Sequence, residues 1–221
     1  MRVARGFAGL LGELLITVGA FLVMFVGWQV FWTDVVSGAD ASQVVTTIEQ
    51  DPVGPAWVQP ERAKLGDAFA IVRIPRFGAT NAWPLYEGTT TDVLMRGVGH
   101  YIGTDLPGEV GNFAMAGHRT TYGKPFNRID QLAPGDVVLV ETKDTSYVYR
   151  VTGHEIVPPS QMSVLLPVPD APEVQATVAT LTMTSCHPEF SARERYVAFA
   201  VLDTEYPRAA GVPADVLRVG E

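Results

Sequence analysis

An all-β domain behind one membrane-spanning helix is the fold class this chain predicts, and three observations point to it. Residues 7–32 are almost entirely apolar and long enough to cross a bilayer as a helix. Beyond Asp67, short apolar and β-branched runs recur at the length of strands, separated by Pro-Gly and other turn signals. Only two short helix candidates interrupt them, at residues 91–96 and 126–132.

In chain order, residues 1–6 form a short polar start with Arg2 and Arg5 and no basic residue close behind the apolar segment. The positive-inside rule then places residues 1–6 in the cytoplasm and the remainder outside. The competing reading is a cleaved signal peptide, whose apolar core runs only ~7–15 residues. Glu13 is the one charge inside the segment, close to its cytoplasmic end, where snorkelling or pairing with an arginine accounts for it.

Residues 33–66 turn polar and contain Pro52, Gly54, Pro55 and Pro60 without a sustained period. They read as a stalk, with a short helix allowed at 44–50. Residues 67–203 hold the strand-like runs, at 69–74, 82–86, 112–116, 137–140, 147–157, 174–184 and 196–202, and seven or eight strands suit a closed barrel or a sandwich. Turn signals lie at Pro107-Gly108, Pro134-Gly135 and Lys143-Asp144. Residues 204–221 are left as a tail.

The composition suits one globular domain, with 221 residues, 47% apolar and 18% charged. A formal net charge of −8 and the lack of a clustered basic surface argue against a nucleic-acid partner. No calcium-type loop of oxygen ligands stands out; no metal ligand and no cofactor is assigned, and the sequence leaves open whether a metal tunes activity.

Cys186 is the only cysteine. It forms no intramolecular disulfide, so it is either a small buried hydrophobe or a reactive thiol. A cysteine nucleophile attacks as thiolate and needs a base or cation beside it. Four histidines are candidates: His100, His118, His154 and His187. His118 follows the run 112–116 and can project from its edge, although spacing alone does not separate a base from a loop histidine. His187 is next to the thiol, but successive strand residues point to opposite faces. His100 and His154 read as surface or turn residues. Acyl transfer also needs a donor for the developing oxyanion, which Arg195 or Arg193 can supply; their spacing does not tell them apart.

Three stretches together, Ala116-Gly117-His118-Arg119-Thr120, Thr182-Met183-Thr184-Ser185-Cys186, and Arg195 within 190–195, resemble the sortase pattern of His, TLxTC and Arg in that order. Met183 and Ser185 stand where the pattern has Leu and Thr, keeping approximate size and polarity. The resemblance covers residues 67–203 and implies an eight-stranded closed β-barrel. It implies a membrane-anchored cysteine transpeptidase that cleaves a sorting signal between Thr and Gly, holds the acyl group as a thioester and passes it to an amine. On that pattern Cys186 is the nucleophile, His118 the general acid/base and Arg195 the substrate and oxyanion stabiliser, with Thr184 and Ser185 of the motif against the substrate. The implied partners are surface proteins with a C-terminal sorting signal, a cell-wall peptidoglycan precursor amine and the cytoplasmic membrane.

Gly99-His100-Tyr101, the run 107–112 and the run 186–193 are most similar to class E, the housekeeping type of high-GC actinobacteria. That class favours an LAxTG signal, and Tyr101 matches the tyrosine linked to that preference. Thirteen arginines against three lysines agree with a GC-rich genome. Pilin-polymerising class C enzymes carry a lid and a second hydrophobic segment; residues 51–57 only loosely resemble a lid motif, and the residues after Leu202, with Pro207, Arg208, Pro213 and Asp215, cannot span a membrane. The motif of L,D-transpeptidases is absent, and papain-like enzymes have Cys before His. The non-enzymatic alternative is a surface β-domain with a structural cysteine.

Overall fold

The computed structural model describes residues 2–51 and 57–217. Eight strands close into one barrel in the order β1-β2-β3-β4-β7-β8-β6-β5, with β5 pairing back onto β1. They are β1 Ala68–Arg73, β2 Trp83–Glu87, β3 Val98–His100, β4 Gly111–Ala116, β5 Val137–Thr142, β6 Thr145–Val157, β7 Ala179–His187 and β8 Glu194–Pro207. The closed barrel, not the sandwich, is the outcome. Closure leaves no exposed sheet edge. The pairs β2/β3 and β4/β7 are parallel and the other neighbours antiparallel.

Alternation along the strands fills the barrel. Phe113 and Met115 of β4, Leu181 and Met183 of β7, and Ala198 and Ala200 of β8 all enter one interior cluster with Phe69, Tyr149 and Phe126. Each fully buried side chain of the Val, Leu, Ile, Phe or Met type contributes about 1.5–3 kcal/mol relative to exposure. β5 is apolar on both faces: Val138 and Val140 point into the barrel while Val137 and Leu139 are covered from outside by Tyr206, Val212, Val216 and Leu217. The segment set aside as a tail is thus partly a cover, and β8 itself runs four residues beyond Asp203. The Lys143-Asp144 signal marks the β5–β6 hairpin, and Gly135, at φ 92°, makes the turn after Pro134.

Three expectations are corrected. The run 174–184 forms a strand only from Ala179, because Val174 and Val178 are more than half exposed and the β4 register begins at Gly111↔Ala179. The candidate helix 126–132 is a single 3-10 turn at Ile129–Gln131. β3 was not foreseen, since three residues show no period and Gly99 lacks a side chain; its pairing is tertiary, with a Cβ at Gly99 meeting the Gly88 carbonyl oxygen at 2.3 Å.

The largest departure concerns the N-terminus. Helix α1, Arg2–Gln50, is long and apolar enough near its start to cross a membrane, and it continues without a break through the first half of the expected stalk. Ala41, Val45 and Ile48 recur at helical spacing and are buried, with Val45 and Ile48 against Ile71 of β1 and Trp57. The Trp57 indole N–H then donates to the Phe69 carbonyl at 3.0 Å. Residues 52–56, which hold three of the four expected stalk breakers, lie outside the described residues.

Candidate functional site

β7 carries the thiol, and its neighbours on both sides are fixed by register. Across the antiparallel β7–β8 pair Cys186 is the Cα partner of Arg195, and Thr184 that of Val197. Directly opposed residues present side chains on the same face, so Thr184, Cys186, Arg195 and Val197 share one face. It is the outer face, since Met183 and Tyr196 of the other parity lie in the barrel interior.

On the other side β4 runs parallel to β7 and pairs Ala116 with Thr184. The pairing continues one step, the Gly117 amide donating to the Thr184 carbonyl at 3.2 Å and the Ser185 hydroxyl to the Gly117 carbonyl at 2.8 Å. His118 and Cys186 each come two residues after that shared pair, His118 in the loop that leaves β4 and Cys186 still within β7. Gly117 is required here because a Cβ would meet the Phe126 ring at 2.7 Å.

The His118 ring is half-buried, and burial lowers its pKa below the ordinary imidazole value. Its Nε2 is buried and has no hydrogen-bond partner among the described residues, while its ring lies 5.1 Å from that of Tyr122. Cys186 is half-buried and free. Arg195 donates from Nη1 to the Ala192 and Glu194 carbonyls at 2.9 and 3.0 Å. Arg193 lies before β8, and its side chain is 76% exposed, so the structure separates the two arginines that spacing left equal.

Thr184 and Arg195 line a cavity of about 40 Å³ with Tyr101, Val157, Pro158, Met162, Leu165 and Val197. The Tyr101 hydroxyl bonds the Thr184 hydroxyl at 2.9 Å. The connection between β6 and β7, with its 3-10 turn Met162–Leu165, therefore roofs the cysteine's face of the barrel. Asn112 anchors that roof by donating to the Val164 and Leu166 carbonyls at 3.1 and 3.0 Å. Larger clefts follow the seam between α1 and the barrel and do not include Cys186. Of the residues singled out in the sequence, Tyr101, Thr184 and Arg195 line this cavity, whereas Cys186, His118 and Ser185 do not, the Ser185 hydroxyl instead tying β7 to Gly117.

His100 is corrected from a surface residue to a buried one, at 2% exposure. Its Nδ1 lies 2.8 Å from the Glu87 carboxylate and its Nε2 2.9 Å from the Thr104 hydroxyl, which fixes the backbone just before Tyr101. His154 is exposed and stacks on Tyr196 at 4.9 Å. His187 accepts at Nδ1 from Arg119 Nη1 at 3.2 Å, because a guanidinium has no acceptor.

Arg119 is the residue sequence reasoning passed over. Only 3% exposed, it donates to the Cys186 carbonyl at 3.4 Å and to His187, and pairs with Asp130 at 2.8 Å. The available signal was its place next to His118, three residues beyond the end of β4. Among the described residues no cluster of three or more His, Cys, Asp or Glu is placed to hold a metal ion.

Residues 72–203 match the family model described as the sortase domain. The chain is 36% identical over 215 residues to Sortase SrtE1 of Streptomyces coelicolor, covering 92% of this chain and 59% of that protein. It is 31% identical over 220 residues to Sortase SrtE2 of the same organism, covering 91% of this chain and 84% of that one. The solved structure of sortase E from Streptomyces avermitilis superposes with a TM-score of 0.63 at 40% identity, covering 70% of this chain and 99% of that one.

Proposed function

The chain belongs to the sortase family and is class E-like, and from that premise we propose that it is a membrane-anchored cysteine transpeptidase acting on an LAxTG-like sorting signal. The observation that carries this reading is the register that sets Arg195 opposite Cys186, with His118 in the loop that follows the strand paired to β7 on the other side.

In this reading the Cys186 thiolate attacks the carbonyl carbon of the Thr–Gly bond. A C–S bond forms and the carbonyl pair moves onto oxygen, where the Arg195 guanidinium donates. The C–N bond then breaks, and His118 gives its proton to the departing glycine amine. A cell-wall amine next attacks the thioester, loses its proton to neutral His118, and Cys186 leaves as thiolate. Burial favours the neutral, proton-accepting imidazole that the second half of this cycle uses.

The face beside Tyr101 and Thr184 contacts the signal's residues ahead of the scissile bond, next to the roof of the β6–β7 connection. Ser185 contributes by holding β4 and β7 together at the level of the reacting groups. Residues 7–32 anchor the chain with residues 1–6 in the cytoplasm and the barrel outside.

Mixing the full chain in detergent with an LAxTG peptide and a primary amine tests the proposal. A ligated product of the expected mass, absent with Cys186→Ala, supports it; no product, or equal product from the variant, refutes it.

A further inference from the structure

Asp34 lies on α1 two residues after Trp32, about 3 Å further along the axis at the helical rise. Its carboxylate, mostly buried, accepts from the Gly123 amide at 3.1 Å and pairs with Lys124 Nζ at 2.7 Å. Both partners sit in the loop that leaves β4 through His118 and closes where the Phe126 amide donates to the His118 carbonyl at 3.1 Å. Within it Tyr122, Gly123 and Lys124 all have positive φ, at 53°, 74° and 47°. Side-chain-bearing residues rarely adopt that conformation, and it persists where surroundings impose it.

Two surfaces impose it here. A Cβ on Gly123 would meet the Trp83 ring of β2 at 2.4 Å and the Gly38 amide nitrogen of α1 at 3.3 Å, so the loop is wedged between barrel and helix. The residue before the wedge is Tyr122, whose ring contacts that of His118. A continuous path therefore runs from Asp34 through Gly123 to Tyr122 and the imidazole.

We propose that Asp34 is a positioning residue for His118, so that the helix leaving the membrane-spanning segment sets the geometry of the acid/base. This rests on the transpeptidase reading of His118. The helix is then part of the catalytic unit rather than a passive spacer, and the His118 loop is held at the level where the apolar segment ends.

The test compares the full chain in lipid nanodiscs with its Asp34→Asn, Asp34→Ala and Lys124→Met variants, using an LAxTG peptide and an amine. Asp34→Ala is expected to lower kcat about three- to tenfold while KM for the peptide stays within about twofold, because proton transfer loses its alignment and the cavity is untouched. Asp34→Asn keeps an acceptor for the Gly123 amide and falls between the wild type and Asp34→Ala. Equal kcat in all four proteins overturns the inference, as does a loss carried equally by KM and by the unfolding midpoint. A wild-type chain that gives no product overturns instead the transpeptidase reading beneath it.

Discussion

Cys186 and Arg195 are Cα partners in the antiparallel β7–β8 pair, so the thiol and the guanidinium share one outer face of the barrel. Two residues earlier, Arg193 precedes the strand and is largely exposed. Arg195→Ala is expected to lower kcat/KM about 100- to 1,000-fold, the effect of removing an oxyanion donor. Arg193→Ala stays within about twofold, since exposed changes away from special contacts are close to neutral. Steady-state kinetics of the two variants side by side checks this, and equal losses would break the assignment.

The Tyr101 hydroxyl meets the Thr184 hydroxyl at 2.9 Å at the rim of the small cavity. Tyr101→Phe removes that bond and keeps the ring, a loss of about 1 kcal/mol, or roughly fivefold in kcat/KM for an LAxTG peptide. Competition between LAxTG and LPxTG peptides reads it out: the preference for the first falls in the variant, and an unchanged ratio would show that the hydroxyl does not contribute to it.

Burial lowers the His118 pKa, and this links protonation to stability. The unfolded chain takes up this proton near pH ~6.5, before the folded chain does, so between the folded pKa and ~6.5 the unfolded state binds more protons. Stability is therefore retained above that window and lost as pH falls through it. His118→Asn removes the linkage, and its denaturation midpoint should improve relative to wild type on going from pH 7.5 to pH 5. A difference independent of pH contradicts the shift.

Arg119 joins the Cys186 carbonyl, His187 and Asp130 from a buried position. Arg119→Met preserves the apolar stem but removes all three donations, at a cost of about 1–3 kcal/mol in unfolding free energy. Chemical denaturation measures it, with turnover expected to fall as well because the Cys186 backbone loses its support. Unchanged stability would mean that these contacts are not held in solution.

Seven of the strands were legible because they are apolar or β-branched runs of strand length separated by turn signals, as β4 and β5 show. β3 was not, because a three-residue strand containing Gly99 is defined by its neighbours and not by its own pattern. The continuation of α1 had a signal, the spacing of Ala41, Val45 and Ile48, but polar residues and Gly38 surround it, and only the folded barrel with Trp57 gives that stripe something to cover. The order His, Cys, Arg was readable from motif, whereas the choice between Arg195 and Arg193 needed to know where β8 begins. Arg119 and Asp34 act through atoms far away in sequence, and nothing local to either residue announces the partner.

The central claim is that Cys186 carries the acyl group. Intact-mass spectrometry of the full chain, quenched in acid during turnover of an LAxTG peptide without added amine, measures this directly. The account predicts an adduct equal to the peptide cleaved after Thr, located on Cys186 by fragmentation, released by hydroxylamine and absent in Cys186→Ala. Turnover with no adduct on Cys186, or an adduct that survives in Cys186→Ala, would contradict it.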